Sequence, residues 1–347
     1  MSKARTALCA IALAASAGFS AVPALANDYP AMSLRMAHPL PQSWPGVEWD
    51  LWWAEQVEER SGRKIDIEIF WSGQLGGLLE IKNLVSSGAV DIGVFAQAVH
   101  ASEMPLTSIA AGLLNRVSAD PATAQELARA TYAAGPVKAE LEGLNLMPLK
   151  WTVTSPYRFT CNKPIETMAD LEGMRIRAVG GAYVPIWMEA YGSVPTRVQA
   201  PEIREGLQRG TLDCNFGPIE WVPFFDLQEV APYLSDINTG AFTTFQLYVP
   251  HDTFMGWPQE VRDLMTEVAA EAMQKDLEAL NGVEAKAMET FRAAGGQVVE
   301  LADMEAFVAK SPDMIQVWVD SMTEQGLRAD IEPLIPLQRK AAESFAR

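Results

Sequence analysis

Two arginines stand two residues apart in Met174-Arg175-Ile176-Arg177-Ala178-Val179. Apolar residues alternate with them at the period of a β-strand, so both guanidinium groups leave one face while Met174, Ile176 and Ala178 leave the other. A guanidinium is a planar fork whose parallel N–H groups match two oxygens of a carboxylate. The chemistry open to this strand is therefore capture of an anion in a cleft. A solvated face, or a structural pair with a nearby acid, uses the same residues, and Arg175 suits the structural role better than Arg177. Aromatic residues supply other candidates. Trp71, Trp151 and Trp221, among ten tryptophans, each lie at a strand end or crossing, where solutes settle in open α/β sheets. Tyr183, after Val179-Gly180-Gly181, has a hydroxyl to donate, and His38 directly follows the first strand; packing is the alternative for all of them.

Little in the chain suits catalysis. There is no G-x-S-x-G, no phosphate-binding loop and no H-E-x-x-H or paired C-x-x-C, and the histidines are only His38, His100 and His251. No metal or cofactor is expected. Without Lys3 and Arg5 the chain sets 25 basic against 44 acidic side chains, a net of −19. That charge excludes nucleic acid and anionic membrane surfaces as partners. It leaves room for a cleft that is locally positive.

The elements that must position these residues follow from patterning. Residues 1–26 read as an export signal: a basic start, an apolar run from Ala7 to Phe19 and Ala24-Leu25-Ala26 as the cleavage site. The expected location is the periplasm. Strands and helices then alternate, an α/β pattern too long for one core. "MSLRMAHPL" is a strand; Trp49, Trp53 and Val57 line one helix face up to Gly62; "KIDIEIFW" is a half-exposed strand; "AVDIGVFA" is a strand buried on both faces. "VSSGAVDIGV" and "LQRGTLDCNF" share a helix-ending glycine and a strand-opening aspartate, Gly88 with Asp91 and Gly210 with Asp213, about 120 residues apart. The stretch 144–165 reads as a strand leaving one domain for another, and 236–250 as the return. A helical pattern from Pro258 to Ala294 is long enough to brace both, with a bend expected at Asn281-Gly282. The domains expected are 27–154 plus about 241–283, and 155–240 plus about 284–347. Cys161 and Cys214 could pair in an oxidising compartment, which spacing leaves open.

"SGQLGG", "GAVDIG", "YRFTCNKPI", "DLEGMRIRAVGG" and "EIREGLQRGTLDCNFGP" fall in one order and register. Together they resemble the periplasmic substrate-binding proteins of tripartite ATP-independent periplasmic (TRAP) transporters, the DctP-like family, across the whole mature chain. The resemblance implies a type II-like two-domain α/β binding protein, with crossing strands and a long bent helix, that closes on a small organic acid. It implies delivery to TRAP membrane permease subunits, no catalysis and a monomer. It assigns the two-pronged salt bridge to Arg177, with Arg158 assisting and Gln97 reaching in from the first domain. Where the family usually has Asn-Pro this chain has Gly217-Pro218, and Asn215 on the same strand face is the candidate substitute. If the tryptophans line the cleft, the acid has an aromatic or apolar body. An organosulfonate, a zwitterion, an ATP-driven importer and a periplasmic enzyme are the alternatives.

Overall fold

The computed structural model describes residues 29–111, 114–178 and 181–346. The export signal expected at residues 1–26 lies outside them. Two sheets carry the chain. The first has the order β2-β1-β3-β10-β4 and is built from β1 (Met32–Ala37), β2 (Ile65–Phe70), β3 (Ile92–Phe95), β4 (Leu146–Val153) and β10 (Thr243–Pro250). The second has the order β11-β9-β5-β8-β6-β7. It comprises β5 (Tyr157–Cys161), β6 (Arg175–Ala178), β7 (Val194–Arg197), β8 (Cys214–Pro218), β9 (Tyr233–Ser235) and β11 (Gln297–Val299). Ile65 and Ile67 of β2 are buried while Asp66 and Glu68 are exposed, and all four residues of β3 are buried, as their patterns require.

The glycine–aspartate repeat marks the same device in both lobes. Gly88 and Gly210 take left-handed backbone, φ +70° and +68°, and end their helices. Asp91 accepts the backbone N–H of Arg35 at 2.8 Å, and Asp213 that of Arg175 at 3.0 Å. Arg35 of β1 and Arg175 of β6 are thus counterparts. The position two residues on is Ala37 in the first lobe and Arg177 in the second.

β4 crosses into β5 through residues 154–156, and the chain returns through 236–242 into β10. The crossings are stitched together: Thr154 N–H donates to Phe242 at 3.0 Å and Tyr157 N–H to Gly240 at 2.8 Å. The helix Gln259–Ala293 braces both lobes and is unbroken through Asn281-Gly282. Its first half packs Val261, Leu264, Met265 and Val268 against β1, β3 and the helix Glu48–Arg60, and its last turns put Ala287 and Phe291 into the second lobe's core. The helix Ile335–Ala342 returns to the first lobe, against the helix Pro121–Ala133.

Cys161 and Cys214 are partners in the β5–β8 ladder and are bonded as a disulfide across 53 residues of sequence. Closing that loop restricts the unfolded chain, so Cys161→Ser with Cys214→Ser is expected to lower stability by about 2–4 kcal/mol. Urea melts of the double variant check this; an unchanged midpoint refutes it.

Candidate functional site

Arg177 is fixed by its strand. Its register neighbours are Asn215 on β8 and Thr196 on β7, which places polar side chains in a row across one face of the second sheet. Only 6% of Arg177 is exposed. Nε donates to Val198 O and Nη1 to Phe216 O, both at 3.2 Å, and the guanidinium lies 5.1 Å from the ring centre of Trp221. Burial lowers its pKa to about 10, which leaves it cationic at neutral pH. Among the described residues no carboxylate forms an ion pair with it. Arg175 behaves oppositely: it is exposed, and its Nε meets Asp213 at 2.9 Å. Two arginines of one strand face are thus separated into a structural pair and a buried cation held only by two carbonyl dipoles and an indole face. A buried charge without a counter-ion is costly, which makes Arg177 the candidate on this face for pairing with an anion.

Arg177 lines a cavity of about 410 Å³ between the lobes. The first lobe contributes Leu79 and the turn through Ala98, Val99, Ala101 and Ser102; the second adds Gly181, Ala182 and Arg197–Gln199. Arg197 and Gln199 were not singled out from sequence. Arg197 sits on β7 opposite Ala178, so strand pairing, not local pattern, brings it there.

The other expected residues take varied places. Asn215, fully buried beside Arg177, has no hydrogen-bond partner for either side-chain polar atom. A Cβ on Gly217 would lie 2.9 Å from Asn215 Nδ2 and 3.1 Å from Trp221 Cε3, so the glycine is what lets both side chains close over this position. Gly217→Asn is therefore expected to displace Trp221 or Asn215 and weaken solute binding at least tenfold. Calorimetry on the variant tests this, and wild-type affinity rejects it. Arg158 opposes Gly217 in the ladder; Nη1 donates to Asp236 O at 3.1 Å and Nε is buried without a partner. Trp221 is buried, edge-on to Trp44 of the first lobe at 5.7 Å.

In the first lobe, Gln97 is fully buried at the end of β3. Its carbonyl oxygen accepts from Tyr132 and Tyr248, both at 2.9 Å, while its amide nitrogen has no partner. The same holds for Gln246 Nε2 and Trp151 Nε1, and the Trp151 ring stacks on Tyr132 at 4.9 Å. Trp71 is half-buried and lies against His38 at 4.7 Å. His38 is wholly buried. Its Nδ1 accepts from Leu40 N–H at 3.2 Å, so its proton sits on Nε2, which donates to Asp50 at 3.1 Å. Tyr183 opens the helix Tyr183–Glu189 and packs, half-buried, against the core; it is not among the residues that line the cavity.

Sequence reasoning missed the acidic side of the interface. Asp50 meets Lys150 Nζ at 2.8 Å as well as His38, and all three are buried. Burial raises the Asp50 carboxyl, but Lys150 and His38 outweigh it and hold it below its usual value. A lysine amid the apolar β4 run "LMPLKWTV" was the available signal. Glu220, one residue before Trp221, and Asp276 of the long helix are buried, and burial pushes each up to about 7. Each has one oxygen without a partner. The folded form therefore keeps protons that the unfolded chain releases near pH 4–4.5. Stability present at low pH is lost as pH rises towards 7, by up to about 1.4 kcal/mol per pH unit for each group. Glu220→Gln with Asp276→Asn is expected to flatten that slope in denaturant melts between pH 5 and 7; an unaltered slope contradicts it.

The sequence description "Bacterial extracellular solute-binding protein, family 7" (DctP) matches residues 36–323. The chain belongs to this family. The ectoine-binding periplasmic protein TeaA of Halomonas elongata is 28% identical over 171 residues, 48% of this chain and 50% of that protein, so the match spans about half the relative's length. The 2,3-diketo-L-gulonate-binding periplasmic protein YiaO of Escherichia coli is 23% identical over 72% of this chain and 76% of its own. Among solved structures, a TRAP periplasmic solute-binding protein from a Sulfitobacter species with bound β-D-galacturonate superposes with a TM-score of 0.73 at 21% identity, covering 89% of this chain and 99% of that one. DctP7 of Bordetella pertussis, a receptor binding pyroglutamic acid, gives 0.74 at 21% identity over 89% and 100%. The two-lobed α/β architecture of this DctP-family chain is thus that of the TRAP receptors.

Proposed function

We propose that this DctP-family protein is a periplasmic receptor that captures a small organic acid through Arg177 and delivers it to the membrane subunits of a TRAP transporter. The observation that carries the proposal is a buried guanidinium, free of any ion pair among the described residues, on the wall of a cavity between two lobes. Relatives named for acids such as galacturonate and pyroglutamate support it.

The acid docks first on the second lobe, with one edge of the Arg177 fork on its oxygens and Asn215 and Arg158 beside it. Closure then recruits the first lobe, where the unpartnered N–H groups of Gln97 and Trp151 are available donors and Trp71, backed by the buried His38, offers an aromatic surface. Because those contacts exist only when the lobes meet, the ligand shifts the population towards the closed form. A carboxylate and a sulfonate both satisfy the fork, so chemistry at Arg177 alone does not choose between them.

A thermal-shift screen of the mature chain against uronates, keto acids, cyclic amino acids, aryl acids and sulfonates tests the reading. Stabilisation by one or more acids, lost on esterifying the acid group, is expected. Equal stabilisation by acid and ester overturns it, as does a screen with no acid among its hits.

A further inference from the structure

A second, narrower cavity lies where the lobes hinge. Trp44, Trp49 and Thr152 of the first lobe, Glu220 and Trp221 of the second, and Asp276 of the long helix are among its walls. Its volume is about 40 Å³, room for about three water-sized groups. It is too small for a whole solute and large enough for a polar head-group. Trp221 is shared: its ring lines this cavity and also carries the Arg177 guanidinium.

We propose that this cavity takes the cationic end, an ammonium or amidinium, of a zwitterionic ligand whose acid end is held by Arg177. The inference rests on the acid-capture reading above and names the solute class within it. Glu220 is 7% and Asp276 4% exposed, and one oxygen of each, Oε2 and Oδ2, has no partner. Glu220 Oε1 already accepts the backbone N–H of Ser155 at 3.1 Å, which orients the carboxyl and leaves the other oxygen for a donor. Lys150, the cation whose charge acts on Asp276, is bound to Asp50 at 2.8 Å and so is not free to neutralise it. Trp44, Trp49 and Trp221 are among the lining residues, and an indole face favours a cation in a dry site. No group of three metal-holding side chains occurs among the described residues, which favours an organic cation over a metal ion.

The protonation of these two carboxyls agrees. Burial raises both carboxyls to about 7, with Glu284 adding to it at Glu220 and Glu48 and Asp50 at Asp276 against the opposing charge of Lys150, so each is partly protonated at neutral pH. An incoming cation displaces a proton, so its binding strengthens from pH 6 to pH 8.

Matched solutes test the proposal: proline, pipecolate and a tetrahydropyrimidine carboxylate against cyclopentane- and cyclohexanecarboxylate, by thermal shift and calorimetry on the mature protein. At least one zwitterion is expected to bind tenfold or more tightly than its carbocyclic partner. At pH 7 it releases protons, seen as a dependence of the heat on buffer ionisation. Glu220→Gln keeps the acceptor for Ser155 and folds; it and Asp276→Asn each weaken the zwitterion at least tenfold and leave carbocyclic acids unchanged. The proposal is overturned if no zwitterion binds, if the carbocycles bind as well, if sodium or potassium chloride alone gives the same shift, or if neither substitution matters. Failure of the acid reading has a different signature, binding that survives esterification of the acid or Arg177→Ala.

Discussion

Arg177→Ala is expected to lose two to three orders of magnitude in affinity for the captured acid while melting, without ligand, within a degree or two of wild type. The affinity loss follows from burial. Breaking an ion pair in a closed, dry cleft costs roughly 3–5 kcal/mol, against about 0–1 kcal/mol for an exposed pair. The unchanged melting point follows from what Arg177 lacks. Its contacts are Val198 O, Phe216 O and the Trp221 face, with no carboxylate left stranded by its removal. Arg177→Lys should fare little better than alanine, because an ammonium cannot make two parallel bonds in one plane. Arg175→Ala is the control: its salt bridge with exposed geometry is structural, and ligand affinity should stay within twofold. Identical ligand-induced shifts for wild type and Arg177→Ala would remove the basis of the proposed function.

The largest expected loss of stability comes from Lys150→Met. Lys150 and Asp50 are 1% and 3% exposed and meet at 2.8 Å, with Asp50 also accepting from His38. Removing the cation strands a buried carboxylate, at a cost of about 3–5 kcal/mol, which for a chain of this size lowers Tm by of order 10 °C. Pairing it with Asp50→Asn should recover much of the loss, since a neutral amide needs no counter-ion and can still accept from His38. The stranded charge, and not lost packing, is then the cause. Calorimetric melts of the two variants decide it; a single variant as stable as wild type, or a double variant no better than the single, refutes the account.

How much of this was legible in advance differs by residue. Strand parity put Arg177 and Arg175 on one face, but their different fates depend on Asp213, 36 residues beyond Arg177, arriving beside only one of them. The repeated glycine and aspartate hinted at two similar lobes, and the structure turns the hint into an equivalence of Arg35 with Arg175. Tyr183 was read from its neighbours as a hydroxyl near the cleft; the structure sets it at the start of a helix, half-buried against the core. Glu220 and Asp276 gave no local sign, because an acid in a helix pattern or beside a tryptophan is ordinarily solvated.

Local order belongs to the sequence by itself: periodicities of two and 3.6, helix-ending glycines, a chain too long for one core, and an arginine on a strand of otherwise apolar make-up. These are properties of neighbours along the chain, where backbone sterics and side-chain alternation act directly. The tertiary structure alone decided which charges are buried and who partners them. It joined Cys161 to Cys214, left Asn215 and Arg177 without polar side-chain partners, set Arg197 at the cavity wall and brought Glu220 and Asp276 to one hinge. Desolvation and ion pairing depend on distances between segments far apart in sequence, and those exist only once the lobes have packed.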